Sequence, residues 1–252
     1  MANSRSGDSM AARIVRVLDT FDVDRTVQTS SEIARRADLP LSTAHRIVAE
    51  LTASGVLERD EDGRVRLGMR LWELALRGSQ ALRLRQAALP HMARVQSIVR
   101  EHTQLAVMER DETLFLDRLS HPDAGANIAR IAGRLPLHAS SSGLVLLAYA
   151  DPAVRERVLA RPLSPLTRET TTDPDPLRRL LTGIRRAGHV VAPGTVELVS
   201  TGIAVPIRER GAVIAALSVV LPHTAAPEVV TRALAALHET ATAIGADLRA
   251  LP

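Results

Sequence analysis

The sequence predicts an α+β protein: an N-terminal winged helix-turn-helix, a linker helix, and a larger C-terminal domain built on a mainly antiparallel sheet. Three observations carry that reading. Two amphipathic helices separated by a turn of about three residues are followed by a hairpin signal. A long helical stretch then leads onward. The remainder interleaves alternating, strand-like runs with helices of unequal length.

In chain order, residues 1–9 hold Arg5 and Asp8 among Ser and Gly, without an apolar core, and are expected to be a disordered tail and not a signal peptide. Ile14, Val17, Leu18 and Phe21 recur at helical spacing and predict a helix over Met10–Asp22. Thr29-Ser30-Ser31-Glu32 is a capping-box signature that opens a second, short helix. Asp38-Leu39-Pro40 stops it, because proline disfavours helical geometry in the residue before it yet suits the first turn of a new helix. The third helix is expected from Pro40 to Ser54, ended by Gly55 in a left-handed cap. Val56–Arg59 and Arg64–Leu67 alternate across Asp60-Glu61-Asp62-Gly63, and helix-turn-helix plus hairpin makes a winged helix over residues 10–68.

Residues 69–88 read as a linker helix able to carry dimer contacts, weakened by Gly78, with a further helix opening at Pro90. In the domain over 89–252, hairpins are expected around Arg110-Asp111-Glu112 and Glu209-Arg210-Gly211, and a strand over Asn127–Ile131. Ser140–Ala150 should be a buried helix, Leu177–Ala187 an Arg-rich helix ended by Gly188, and Pro227–Leu248 a terminal helix.

Composition narrows the chemistry. All 32 basic residues are arginine, against 28 acids, and there is no cysteine. Without lysine there is no Schiff base, phosphate-loop lysine or Ser–Lys dyad; without cysteine there is no thiolate nucleophile, disulfide or cysteine-built zinc site. The longest apolar runs, Gly143–Ala150 and Ala212–Leu221, fall far short of the roughly 20 residues that span a bilayer, so the chain is expected to be cytoplasmic. The net charge of +4 is modest, and residues 1–84 hold 13 arginines against 12 acids, so architecture and not a basic patch is what points to nucleic acid.

On the third helix, Ala44, Ile47, Val48 and Leu51 fall within about 50° of one direction at ~100° per residue. Ser42, Arg46 and Ala49 point away, with Thr43 and His45 on the flanks. A small hydroxyl, an arginine one turn on and an alanine permitting close approach suit a helix in a major groove. Hydroxyls and amides at helix openings suit phosphate, which adds Thr29 to Ser42, Thr43, His45 and Arg46 as candidates. Arg64 and Arg66 on the wing would reach phosphate or the minor groove, against competition from the acidic tip.

Ser31-Glu32-Ile33-Ala34-Arg35, Leu39-Pro40-Leu41-Ser42-Thr43-Ala44-His45-Arg46-Ile47-Val48, Leu51-Thr52-Ala53-Ser54-Gly55 and Arg64-Val65-Arg66-Leu67-Gly68 together resemble the IclR family of bacterial transcriptional regulators. The likeness continues through Gly133-Arg134-Leu135-Pro136-Leu137-His138-Ala139, Ile184-Arg185-Arg186-Ala187-Gly188, Ala204-Val205-Pro206-Ile207 and Ala215-Ala216-Leu217-Ser218. The resemblance implies a GAF-like C-terminal domain that binds a small effector, an organic acid or an aromatic. It also implies a homodimer or tetramer on palindromic operator DNA, controlling a catabolic or transport operon, most often as repressor, with no membrane partner and no cofactor. It assigns Leu135, Ser141, Ser142, Gly202 and Ser218, with Ile131 and Ala192, to the effector pocket. Departures from the family pattern cluster beyond Gly188: Ala192 and Thr195 stand where acids are usual, Val199 where glycine is usual, Gly202 where cysteine is usual. Leu144 stands where lysine is common. These imply a more apolar or larger effector than glyoxylate-like acids.

The rival readings are a small-molecule-binding enzyme on the same C-terminal domain and a protein-interaction module with a winged helix that does not bind DNA. His138 lies near Ser140, but no Gly-x-Ser-x-Gly or His-Glu-x-x-His is present, so neither catalytic residues nor metal ligands are assigned.

Overall fold

Residues 8–122, 124, 129 and 131–250 are described by a computed structural model, which divides into two units, Met1–Ser79 and Gln80–Pro252. The first unit opens with α1 (Met10–Leu18), capped by the Ser9 hydroxyl on the Ala12 N–H at 3.2 Å. The expected tail lies outside the described residues up to residue 7; Ser9 is this cap, and Asp8 pairs with Arg16 at 2.9 Å. The helix stops short of Asp22 because the chain turns inward: the Thr20 hydroxyl donates to the Val17 carbonyl, and the Gln28 amide donates to the Thr20 carbonyl at 3.0 Å. Gln28 belongs to β1 (Val27–Gln28), a strand too short for periodicity to reveal.

Thr29 caps α2 (Ser30–Arg36) with both halves of the capping box formed. Asp38, at φ 50, turns the chain into α3 (Leu41–Ala53), which buries Ala44, Ile47, Val48 and Leu51. Gly55, at φ 75, ends that helix and leads to β2 (Leu57–Arg59) and β3 (Val65–Leu67), which pair antiparallel. The sheet order β1-β3-β2 adds a third strand to the expected hairpin. Val17, Ile33, Ile47, Val48, Leu51, Leu57 and Val65 form one core. α4 (Met69–Leu76) buries none of its residues.

The second unit begins at α5 (Gln80–Val99). A continuous linker helix over 69–88 is therefore not formed: the chain breaks around Gly78, where a missing side chain leaves the backbone without helical bias. The helix expected to open at Pro90 instead runs through it. Pro90 is exposed, as is Gln86 one turn earlier, so the carbonyl that loses its amide partner is met by water.

Then follow β4 (His102–Glu109), β5 (Glu112–Leu119), β6 (Arg134–Pro136), α6 (Ser141–Tyr149), α7 (Pro152–Leu159), α8 (Pro174–Ala187), β7 (Val190–Pro193), β8 (Ser200–Glu209), β9 (Ala212–Pro222) and α9 (Pro227–Ala250). The strands form a six-stranded sheet in the order β6-β5-β4-β9-β8-β7, antiparallel throughout. Both expected hairpins are present. Their turns place Arg110-Asp111 and Arg210-Gly211 at positive φ, which matches the strand twist. Of the strand expected over Asn127–Ile131, Asn127, Ile128 and Arg130 lie outside the described residues; Ala129 and Ile131 are in no strand, and the edge strand beside β5 among the described residues is β6.

The sheet carries a core on each face. Leu84, Ala88, Met92 and Val95 of α5, with Ala233, Leu237 and Ile244 of α9, cover one; α6 and α8 cover the other. α6 is buried along Ser141–Ala148, which explains its apolar run with no polar face. A bulge in β5 places Ala106 opposite Phe115 but Leu105 opposite Asp117. Phe115 therefore packs with α6, while Asp117 on the other side takes Arg85 of α5 at 2.8 Å.

Candidate functional site

In the first unit, α3 presents Ser42, His45, Arg46 and Ala49 to solvent, with Thr43 half-buried on the flank. The turn before the helix and the packing of its apolar stripe onto Val17, Ile33 and Leu57 hold that face outward. Arg46 pairs with Glu50 at 3.1 Å, both groups more than half exposed, so water or a competing acceptor opens the pair at little cost. Thr29 is exposed, but its hydroxyl is committed: it accepts from the Glu32 N–H at 3.2 Å and donates to the Glu32 carboxylate at 2.9 Å. The Thr29 backbone N–H, then its hydroxyl, hold the Glu32 carboxyl below its ordinary range.

On the wing, Arg66 lies across the strand pair from Glu58 and meets its carboxylate at 3.1 Å. The Met69 N–H at 3.0 Å is the larger influence on Glu58, and both lower its pKa. Arg64 is exposed, its backbone N–H held by Asp60 at 2.8 Å, and no partner among the described residues holds its guanidinium. The acidic tip thus restrains the backbone of the wing and leaves that cation available. Arg59 spans the wing from within, donating to the Gly63 carbonyl at 2.6 Å and to Ser30.

The second unit holds a small, partly open cavity of about 30 Å³ on the α6 face of the sheet. Leu135, Ser141, Ala192 and Gly202 line it, four of the seven positions singled out from the sequence. Ile131 is about half exposed and away from the lining. Ser142 and Ser218 are fully buried behind it, the Ser142 hydroxyl donating to that of Ser218 at 2.9 Å. The lining that sequence reading missed comprises Gln104, Phe115, Ala129, Ser140, Thr195, Val196, Glu197, Ser200 and Val220. His102-Thr103-Gln104 is a polar run, yet it is buried in β4.

Close approach shapes the cavity floor. A Cβ on Gly202 would stand 2.6 Å from the Ser141 hydroxyl oxygen and 3.0 Å from its Cβ, so the first residue of α6 fills the space that a cysteine would occupy. Ser140 caps α6 through the Gly143 N–H at 3.0 Å, and Ser140 and Ser141 at the helix start line the cavity. The opposite wall is pinned by hydroxyls: Thr167 donates to the Gly194 carbonyl at 2.6 Å and Thr170 to the Thr195 carbonyl at 2.7 Å. Gly194, at φ 69, makes the turn after β7. Glu197 is the only charged residue on the described lining.

His138 does not form a nucleophile pair with the serines. Its Nε2 is bonded to the Ser164 carbonyl at 3.0 Å, and burial pushes its pKa down. Among the described residues no group of three or more His, Asp or Glu could hold a metal ion, and no helix is long and apolar enough to cross a membrane.

A winged helix with an outward polar recognition face, on one chain with a cavity lined by apolar and polar side chains in an α+β unit, defines a DNA-binding protein with a sensory domain. Residues 10–61 match the IclR helix-turn-helix domain, and residues 78–246 match the bacterial transcriptional regulator IclR C-terminal domain. The chain belongs to the IclR family and is a helix-turn-helix transcriptional regulator.

Among solved structures it is similar to an IclR homologue from Microbacterium hydrocarbonoxydans complexed with 4-hydroxybenzoate, at 64% identity and TM-score 0.92, over 96% of this chain and 100% of that one. An IclR homologue from Microbacterium sp. strain HM58-2 is 62% identical with TM-score 0.65, over 97% of this chain and 100% of that one. The regulator BhcR of Paracoccus denitrificans (strain Pd 1222) is 30% identical over 198 residues, covering 75% of this chain and 68% of its own.

Proposed function

We propose that this regulator is an aromatic-acid sensor: a hydroxylated benzoate of the 4-hydroxybenzoate class binds the cavity and releases the protein, a repressor, from its operator upstream of a catabolic or transport operon. The observation that carries the reading is the cavity lining, with Phe115, Leu135, Ala192 and Val220 against Ser141 and Gln104, in a chain 64% identical to a 4-hydroxybenzoate-bound homologue. A lining in which Phe115, Leu135, Ala192 and Val220 stand beside Gln104, Ser140, Ser141, Thr195 and Ser200 suits a flat ring with polar ends.

DNA contacts are assigned to Ser42, Thr43, His45 and Arg46 on α3, to Arg64 and Arg66 on the wing, and to the capped opening at Thr29. Effector contacts are assigned to Leu135, Ser141, Ala192 and Gly202. Ser142 and Ser218 act from behind the wall, and Ile131 is not proposed as a contact. The acting form is a cytoplasmic homodimer, or a tetramer built from such dimers, on a palindromic site. α4 supports the dimer, because Met69, Trp72, Leu74 and Leu76 are exposed on a helix that buries nothing. The chain runs no reaction of its own, in keeping with His138 being committed to a backbone carbonyl.

The test is fluorescence anisotropy with labelled DNA from upstream of the adjacent genes, titrated with and without 4-hydroxybenzoate. Footprinted, salt-sensitive binding that weakens as 4-hydroxybenzoate rises is expected. Binding indifferent to the ligand would overturn the sensor reading, and binding strengthened by it would overturn the repressor reading.

A further inference from the structure

Gln104 lines the effector cavity and is 3% exposed. It sits on β4 directly opposite Ser218 on β9. The two serines behind the wall act on it in series: the Ser142 hydroxyl donates to Ser218 at 2.9 Å, and the Ser218 hydroxyl donates to the Gln104 Oε1 at 3.4 Å. In this arrangement the amide turns its oxygen end to the Ser218 hydroxyl. The other end, Nε2, is buried and has no hydrogen-bond partner. A buried donor with no acceptor is costly, and buried polar groups in folded proteins are almost always paired. The cavity is where an acceptor for Nε2 can enter.

The wall also limits what that acceptor is. Glu197 is the only charged residue on the described lining, so no side-chain cation waits for a carboxylate there. A carboxylate is best met at the start of α6, where Ser140 and Ser141 line the same cavity. A single neutral amide N–H suits a neutral oxygen better.

Building on the aromatic-acid reading, we propose that Gln104 is the specificity-determining residue of the effector site: its Nε2 donates to a neutral ring oxygen of the ligand, such as a para hydroxyl, while the ligand carboxylate lies at the start of α6. Ser142 and Ser218 are positioning residues that act through the Gln104 amide and do not touch the ligand.

The test is isothermal titration of the full-length protein with 4-hydroxybenzoate and with 4-methylbenzoate, which has a similar shape but no oxygen on the ring. Wild type should prefer 4-hydroxybenzoate by about tenfold or more, the penalty for leaving a buried donor unpaired. In Gln104→Leu the ratio of the two affinities should fall to near one, and in Ser218→Ala it should fall part of the way, because the amide is then free to turn over. A Ser218 role in packing alone would change both affinities together and leave the ratio where it was. If Gln104→Leu does not fold, Gln104→Met is the second variant, and the wild-type ratio needs no variant at all. Wild type binding both ligands equally, or Gln104→Leu weakening both by the same factor, would overturn the assignment and leave the sensor reading standing. Wild type binding neither would overturn both.

Discussion

Arg46 shows how a side chain can be placed by its helix yet stay free to act. It stands on the face of α3 opposite the buried Ala44, Ile47, Val48 and Leu51, and its partner Glu50 is as exposed as it is. An i,i+4 pair of that kind contributes only about 0.3–0.5 kcal/mol, whereas a bidentate contact to guanine is worth about 1–3 kcal/mol of discrimination. Arg46→Ala is therefore expected to leave the thermal midpoint close to wild type and to cost about 1–3 kcal/mol in preference for the operator over random DNA. Competition anisotropy reads this directly, and an unchanged preference would move the recognition face elsewhere. Gly202 is the corresponding residue in the cavity. Gly202→Ala sets a methyl against Ser141 at a distance real side chains do not tolerate, so Ser141 has to swing aside. Effector affinity is expected to fall by about tenfold, with DNA binding of the ligand-free protein retained. Calorimetry with 4-hydroxybenzoate would sink this expectation if affinity held.

Among the elements, each helix answers to a different force. α2 is fixed locally: Thr29 and Glu32 satisfy each other's backbone groups, and little outside the first turn is needed. α6 is fixed by burial on all sides, with its polar start kept where the cavity needs it. α9 is fixed by close approach to the sheet. A Cβ on Gly245 would lie 2.3 Å from the Arg208 carbonyl oxygen, a backbone atom of β8 that has no room to yield. Gly245→Ala is expected to force the helix away from the sheet and cost about 1–3 kcal/mol despite alanine's better helix propensity. A denaturant melt would read it, and a stabilised variant would show that the contact is softer than its geometry.

Over the full chain, two units divide the work, one presenting α3 and the other enclosing the effector. Their charge is nearly balanced, so affinity for DNA has to come from a few placed arginines, which the proposed dimer doubles. α4, with Trp72 and Leu74 about half exposed, is the apolar surface available for that doubling. Trp72→Glu is expected to shift the protein toward monomer in light scattering and to weaken operator binding by at least about tenfold, since a lone unit reads only one half-site. A dimer that survives the change would place the interface on another surface.

The local order of this protein is written in the chain. The capping box at Thr29, the proline turn at Pro40, the stripe of Ala44, Ile47, Val48 and Leu51, and the two hairpin turns are short-range devices, and short-range devices are carried by adjacent residues. The family resemblance added both domains and the chemistry of a regulator, and it brought Leu135, Ser141, Ala192 and Gly202 into the cavity from four separate stretches. The rest waited on tertiary contacts. β1 and β6 are too short to show a period and exist because another strand offers an edge. Pro90 stays inside α5 because the carbonyl it frees, that of Gln86, faces water, and Ile131 falls outside the cavity while Gln104 enters it. Gln104 stands in none of the motifs that the chain displays. It became the unpaired donor of the pocket only when β9 set Ser218 across from it, because hydrogen-bond partners more than a hundred residues apart leave no pattern in the chain that joins them.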